Sequence, residues 1–390
     1  MPPLLRLAHL GALHRLFATF PVVALLGARQ IGKSTLARQF ADTVPGPVEF
    51  LDLEDPQERR RLADPGLVLR ELRGLVVLDE VQFLPEVFPL LRVLADRPGR
   101  PARFLILGSA APELLRQSSE SLAGRIGHHH LTGLDLEEVS VGQLQSLWLR
   151  GSFPRAMLAA DDDESALWRA EFTQTLFTRD LAGLGIGIPA TTMERFWAML
   201  AHWHGQVWNS SEFARSFGVA DTTVRRYLDL LTGTFLVQQL RPWHTNLAKR
   251  QVKSPKVWIA DSGLLHTALG LRDRRELQRH PKVGASWEGF LLPQVVRRLG
   301  AAPGECWFWA TYAGAELDLL VVRGDRRLGF EFKLTETPDV TASMRIALHD
   351  LELEELVVVH GGTRSWPMAE RIRAVAAERL LVDVAPLDAR

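Results

Sequence analysis

The chain has 390 residues, with 46 basic and 46 acidic side chains and a formal net charge of zero. That length points to two or three domains with ample cores, and the balanced charge excludes a surface wholly committed to nucleic acid, leaving only a local patch for such binding. A single cysteine, Cys306, excludes an internal disulfide and fits a reducing cytoplasm, and no apolar run approaches the roughly 20 residues of a membrane helix.

Residues 1–20 read as a helix leading into a buried strand over 21–26. This start lacks a small-residue cleavage site, so it reads as mature protein and not as a signal peptide. Next comes Gly27-Ala28-Arg29-Gln30-Ile31-Gly32-Lys33-Ser34-Thr35, the G-x-x-x-x-G-K-S pattern of a P-loop. Its glycines let the backbone wrap a phosphate, and the following helix start presents N–H groups to anionic oxygens. All nine residues are expected to cradle ATP. Lys33 would reach its β- and γ-phosphates, and Ser34 would hold Mg²⁺.

A second strand is predicted over 47–53, followed by a polar, arginine-rich helix. Residues 74–80 then give four apolar positions ending in Asp79-Glu80, the Walker B pattern. Asp79 would bind Mg²⁺ through water, and Glu80 would polarise the attacking water. Alone, this could be a strand ending in two solvated acids; its position behind a P-loop favours the catalytic reading. Residues 104–109 form another buried strand ending at Ser109. A helix through 118–122 leads to Arg125 and then to His128-His129-His130. Consecutive strand residues point to opposite faces, so these three cannot converge on one ion; they read as a polar strand start. Gly151-Ser152-Phe153-Pro154-Arg155 reads as a rigid break between helices, and the acidic run 161–165 as an exposed helix start.

The order GARQIGKST, LVVLDEVQ, FLILGS, SLAGR and GSFPRA resembles a prokaryotic AAA-type ATP-binding family. The C-terminal domain of that family has an endonuclease-like fold and an uncharacterised function. The resemblance implies a γ-phosphate sensor at Ser109, although a plain Gly-Ser turn fits there as well. It also implies an arginine finger at Arg125 that completes a neighbouring subunit's site, although a lone surface arginine fits as well. In the family the Gly-x-Pro element lies near the nucleotide. Here Gly-Ser-Phe-Pro lacks one glycine, which leaves Gly151 and Pro154 open.

From residue 192 the pattern is helix, helix, glycine turn, helix, then a hairpin strand beginning at 235. This reads as a winged helix-turn-helix with Asp221 capping the recognition helix. Thr222, Thr223, Arg225 and Arg226 sit at its start, where DNA contacts are made. Arginine outnumbers lysine 40 to 6, yet Lys249, Arg250, Lys253 and Lys256 gather in the wing region, as phosphate binding requires. Winged helices also dock proteins, so both readings stand. The segment 254–264 (SPKVWIADSGL) matches the family and reads as a bridge to the last domain.

Residues 283–390 read as helix, three strands, helix, strand. Asp318 followed by Glu331-Phe332-Lys333 is the PD-(D/E)xK nuclease pattern, with Glu288 similar to the extra acid of that superfamily. Residues i and i+2 of a strand share a face, so Glu331 and Lys333 would enter one cleft beside Asp318. The carboxylates Asp318, Glu331 and Glu288 would hold Mg²⁺, and Lys333 would orient the nucleophile.

The expected architecture is multidomain α/β. It comprises an AAA-type P-loop ATPase with a helical lid (1–185), a winged helix with a basic wing (190–270) and a restriction-endonuclease-like domain (271–390). The expected function is a cytoplasmic, homo-oligomeric ATPase, in the manner of a hexameric ring. It would use ATP and Mg²⁺ on duplex or branched DNA, with a last domain that cuts or clamps. The alternative is a nucleotide-switched scaffold whose winged helix and C-terminal domain bind a protein.

Overall fold

The computed structural model describes residues 4–109, 121–181, 188–244 and 253–387. The chain divides into two compact units, Met1–Gly133 with Asp229–Leu236, and Leu134–Leu228 with Val237–Arg390.

The first unit is built on five parallel strands: β1 (Val22–Gly27), β2 (Val48–Asp52), β3 (Gly74–Asp79), β4 (Ala102–Ser109) and β5 (Ile126–His130), in the order β2-β3-β4-β1-β5. A strand covered on both faces reads as a continuous apolar run, and all six residues of β1 are buried. Alternate side chains Val22, Ala24, Leu26, Val76, Leu78, Phe104 and Ile106 share a core with Val87, Phe88, Leu91 and Leu94 of helix Val87–Ala95. Parallel pairing brings the carboxyl ends of β1, β3 and β4 to one edge, where open α/β sheets bind ligands. Gly27 stands opposite Ser109 there.

Two expectations are corrected in this unit. The arginine-rich stretch is two short helices, Pro56–Arg61 and Pro65–Glu71. Asp55 and Asp64 cap them, and a proline opens each, so the second Asp-Pro forces a new start. The three histidines end β5 instead of starting it, because Ile126 and Gly127 already pair with Val22 and Val23. Their partners diverge: His129 Nε2 lies 2.8 Å from His9 Nδ1, and the His130 ring meets Phe235 edge-on.

The second unit contains a small antiparallel sheet of β6 (Gln206–Val207), β7 (Val237–Leu240) and β8 (Lys256–Ile259), in the order β6-β8-β7. Helix Ala190–Trp203 precedes β6, and helices Ser210–Phe217 and Asp221–Gly233 lie between β6 and β7. Asp221 begins the latter helix, and its carboxylate accepts the hydroxyls of Ser210 and Ser211 at 3.0 Å each.

A mixed six-stranded sheet follows: β9 (Cys306–Ala310), β10 (Glu316–Arg323), β11 (Arg326–Lys333), β12 (Glu355–His360), β13 (Trp366–Ala369) and β14 (Ile372–Ala376). Its order is β13-β14-β12-β11-β10-β9. Strands β9, β10 and β11 form an antiparallel meander, and β12 then joins β11 in parallel after helix Ala342–Asp350. Helix Val283–Leu299 precedes β9. The sequence reading ended at β12; β13 and β14 extend the sheet beyond it. The chain leaving β7 runs beside β9, with Trp243 N donating to Phe308 O at 2.7 Å, so the small sheet abuts the large one. Among the described residues, no helix is long and apolar enough to cross a membrane.

Candidate functional site

At the carboxyl edge of the parallel sheet, the turn after β1 winds through Gln30 at φ 59° and Gly32 at φ 102° before helix Lys33–Ala41 begins. Ala28 and Ile31 are buried and anchor the loop, whereas Ser34 and Thr35 are exposed at the helix start. Lys33 is only 5% exposed and folds back over the loop, donating to Gly27 O at 3.1 Å and Ala28 O at 3.0 Å. Burial lowers its pKa, against the opposing pull of Glu80 and Asp79. Arg29 pairs with Glu54 at 3.8 Å.

Strand β3 delivers the acidic pair. Ser34 Oγ donates to Asp79 Oδ2 at 2.5 Å, and Glu80 N donates to Asp79 Oδ1 at 3.0 Å. One hydroxyl and one carboxylate, all oxygen, fit the preferences of Mg²⁺. Glu80 sits in the left-handed region at φ 53°, and its carboxylate accepts from the Gln82 side chain. Gln82 was not singled out from sequence; its place two residues after Glu80 was the available signal. Ser109 ends β4 between these groups in the sheet order.

A second cluster lies on the six-stranded sheet. Asp318 on β10 and Glu331 on β11 are 7% and 5% exposed. Phe332 N donates to Asp318 Oδ2 at 3.1 Å, and Lys333 Nζ pairs with Glu331 Oε2 at 2.7 Å. The sequence-predicted set therefore does converge, with Glu288 joining from helix Val283–Leu299. Its central cation is unexpected. Lys256 of β8, read from sequence as a phosphate-contacting wing residue, is 3% exposed and enters the cluster. Its ammonium lies 3.4 Å from Glu288, 3.5 Å from Asp318 and against Glu316. That corrects its placement on a DNA-facing surface: all four residues of β8 are buried, and the Lys256 ammonium is taken up by acids of the chain itself.

Burial works against the charged form of Lys256, but Glu288, Asp318 and Glu316 together outweigh it and raise its pKa. Burial raises the pKa of both Glu288 and Glu331, and the Asp318 charge adds to each. The Mg²⁺ implied by the nuclease pattern does not fit this arrangement, because an ammonium already stands among the acids. Among the described residues, no group of three or more His, Cys, Asp or Glu side chains is arranged to hold a metal ion.

Two mycobacterial proteins, the uncharacterized proteins Mb2031c of Mycobacterium bovis and Rv2008c of Mycobacterium tuberculosis, are each 50% identical to this chain over 370 residues. The match covers 95% of this chain and 82% of each relative. The chain belongs to their family. Within it, residues 19–140 match the AAA domain, 141–275 a domain of unknown function (DUF8612) and 283–380 another (DUF4143). The first unit thus carries an AAA-type P-loop ATPase domain. The Walker-type ATPase PABY2304 of Pyrococcus abyssi shares 16% identity, covering 68% of this chain and 96% of that one, at a TM-score of 0.49.

The remaining expected residues of this family member are dispersed. Arg125 precedes β5 at the opposite end of the sheet from Gly27, where its carbonyl accepts from Val22 N. Its guanidinium is engaged by Asp96 through two bonds, at 2.7 and 2.8 Å. Thr222, Arg225 and Arg226 are exposed on one side of helix Asp221–Gly233 and Thr223 is half-buried, while Val224 and Leu228 face the core. Lys253 is exposed. Lys249 and Arg250 lie outside the described residues.

Gly151 and Asp261, in two motifs without assigned chemistry, meet each other. Asp261 Oδ2 accepts from Ser152 N at 2.6 Å and Ser152 Oγ at 2.8 Å, while Oδ1 caps helix Ser262–Ala268 through Leu264 N. A Cβ on Gly151 would stand 2.2 Å from Asp261 Oδ1.

Proposed function

We propose that the chain is an ATP-hydrolysing AAA-type ATPase that acts on DNA. The observation that carries the ATPase reading is the convergence of Lys33, Ser34, Asp79 and Glu80 on one P-loop, with Ser34 bonded to Asp79 at 2.5 Å. Phosphate oxygens of ATP in the loop would take the Lys33 ammonium from the Gly27 and Ala28 carbonyls. Ser34 and Asp79 would hold the Mg²⁺ that neutralises charge between the β- and γ-phosphates. Glu80, steadied by Gln82, orients and polarises the attacking water. Ser109 would sense the γ-phosphate. Arg125, once released from Asp96, would serve a neighbouring copy's site.

The order helix, strand, helix, helix, strand, strand over residues 190–259 supports reading this region as a winged helix. Thr222, Arg225, Arg226 and Lys253 are exposed and would supply its polar and cationic contacts, with Lys249 and Arg250 close to Lys253 in sequence. The helix–meander–helix–strand order from Val283 to His360 supports reading this region as an endonuclease-like fold, which would serve to clamp DNA.

The test is ATP hydrolysis with and without single-stranded, duplex and four-way DNA. DNA should raise the rate, and Arg225→Ala/Arg226→Ala should weaken DNA retention and flatten its salt dependence. DNA that neither binds at low salt nor changes the rate would remove the DNA half of the proposal.

The burial of Lys256 favours a second reading, because it removes one cation from the expected basic wing. On that reading the chain is a slow, nucleotide-switched scaffold whose winged helix docks a protein. A steady-state rate near zero together with oligomerisation triggered by ATP alone would support it.

A further inference from the structure

A metal-dependent cutting centre needs carboxylates that face a shared point left for a divalent cation. Glu288, Glu316 and Asp318 surround one point, and the chain itself delivers a cation to it. Strand β8 lies between β6 and β7, with Lys256 paired opposite both Val207 and Leu240. Pro255 immediately before it is pinned by a bond from Trp208 N to its carbonyl at 2.7 Å. This backbone cannot slide without breaking two ladders. Beyond the backbone, the Lys256 ammonium is flanked by the rings of Trp258 and Phe308, each centred 5.8 Å away, and ends among Glu288, Glu316 and Asp318.

We infer that Lys256 is the resident cation of the Asp318 cluster, holding the position a divalent metal would need, so that the C-terminal domain excludes metal and does not cut. A Mg²⁺ ion binds oxygens at roughly 2.0–2.1 Å in a near-octahedral shell. It would have to expel the ammonium or sit against it, and like charges in a desolvated site repel strongly. The same contacts tie the small sheet to the large one. The lysine of the Ser254-Pro255-Lys256 segment thus acts as an internal counter-ion and a staple. Lys333 is the second cation, but it rests on Glu331 and is partly exposed, so it leaves the centre to Lys256.

The experiment uses the full-length protein without nucleotide, with Mn²⁺ as the probe. Bound ion is counted by electron paramagnetic resonance, and melting temperature is followed in parallel. Wild type and Asp318→Asn should bind the same number of Mn²⁺ ions, any P-loop contribution being common to both. Lys256→Ala should lose about 10 °C in melting temperature, since it leaves buried acids unpaired. It should gain one additional Mn²⁺ and recover much of the loss when Mn²⁺ is added. Lys256→Ala/Asp318→Asn should show neither gain, and Lys256→Arg should behave as wild type toward Mn²⁺. The inference is overturned if wild type holds one more Mn²⁺ than Asp318→Asn, a comparison that does not depend on any Lys256 variant folding. It is equally overturned if a folded Lys256→Ala gains no ion, or if wild type cleaves DNA with Mg²⁺ in a manner that Asp318→Ala abolishes.

Discussion

Glu80 divides its work between backbone and side chain. Its left-handed φ of 53° turns the chain out of β3 and lets its N–H cap the Asp79 carboxylate. Its own carboxylate is held by Gln82. A non-glycine residue in that region costs roughly 1–2 kcal/mol, and such strain gathers at functional sites. Glu80→Gln keeps the side chain's shape and removes its charge. It should lower kcat for ATP hydrolysis at least about 100-fold while leaving nucleotide affinity near wild type. Steady-state turnover beside a fluorescent-nucleotide titration checks this, and a variant that still turns over at the wild-type rate would strip Glu80 of its role. The residues of this site were legible because a P-loop and a Walker B strand are local patterns, each contained in about nine consecutive residues. Lys256 was misread for the converse reason. Its sequence neighbours are cations, whereas its partners Glu288, Glu316 and Asp318 come from later elements.

At the scale of elements, the pairing of the Gly151 turn with the Asp261 cap shows what local pattern cannot supply. Each motif was visible, but the bonds between them span 109 residues. The carboxylate of Asp261 ends one helix's need for a cap and fixes the turn before another, while Gly151 at φ 84° leaves room for it. Asp261→Ala should destabilise the protein by about 3 kcal/mol, combining a lost N-cap with a desolvated Ser152 N–H. Gly151→Ala should do comparable harm by a different route, since the new Cβ would overlap the Asp261 carboxylate in a backbone conformation that L-residues avoid. Urea unfolding of both single variants and the double variant checks the pairing. The double variant should cost less than the sum, because removing the carboxylate relieves the clash. Full additivity would mean that the two motifs act separately. The strand order was legible only in part for the same reason. Apolar runs marked β1, β3 and β4, but only the fold shows β4 standing between the other two.

At the scale of the whole molecule, the open matter is whether one chain contains a complete ATPase site. Arg125 lies at the amino end of β5, while Gly27 lies at the carboxyl end of the neighbouring β1, so Arg125 does not reach its own P-loop. It is held by Asp96 in an exposed pair, the kind of contact that a phosphate can displace. The finger role proposed for Arg125 would therefore have to be played in trans. Arg125→Ala should then reduce hydrolysis by about 1,000-fold without weakening nucleotide binding, and Lys33→Ala should abolish hydrolysis by removing the phosphate contact. Mixed in equal amounts, the two dead variants should regain activity. In a cyclic assembly about one interface in four would join an intact P-loop to an intact arginine, restoring roughly a quarter of the wild-type rate. Asp96→Asn is the matching control, since freeing the guanidinium should leave hydrolysis intact or raise it. A mixture no more active than its two components would remove the assignment in trans, and an Arg125→Ala variant that hydrolyses ATP at the wild-type rate would return the arginine to the role its present contact gives it, an ion pair at the base of the sheet.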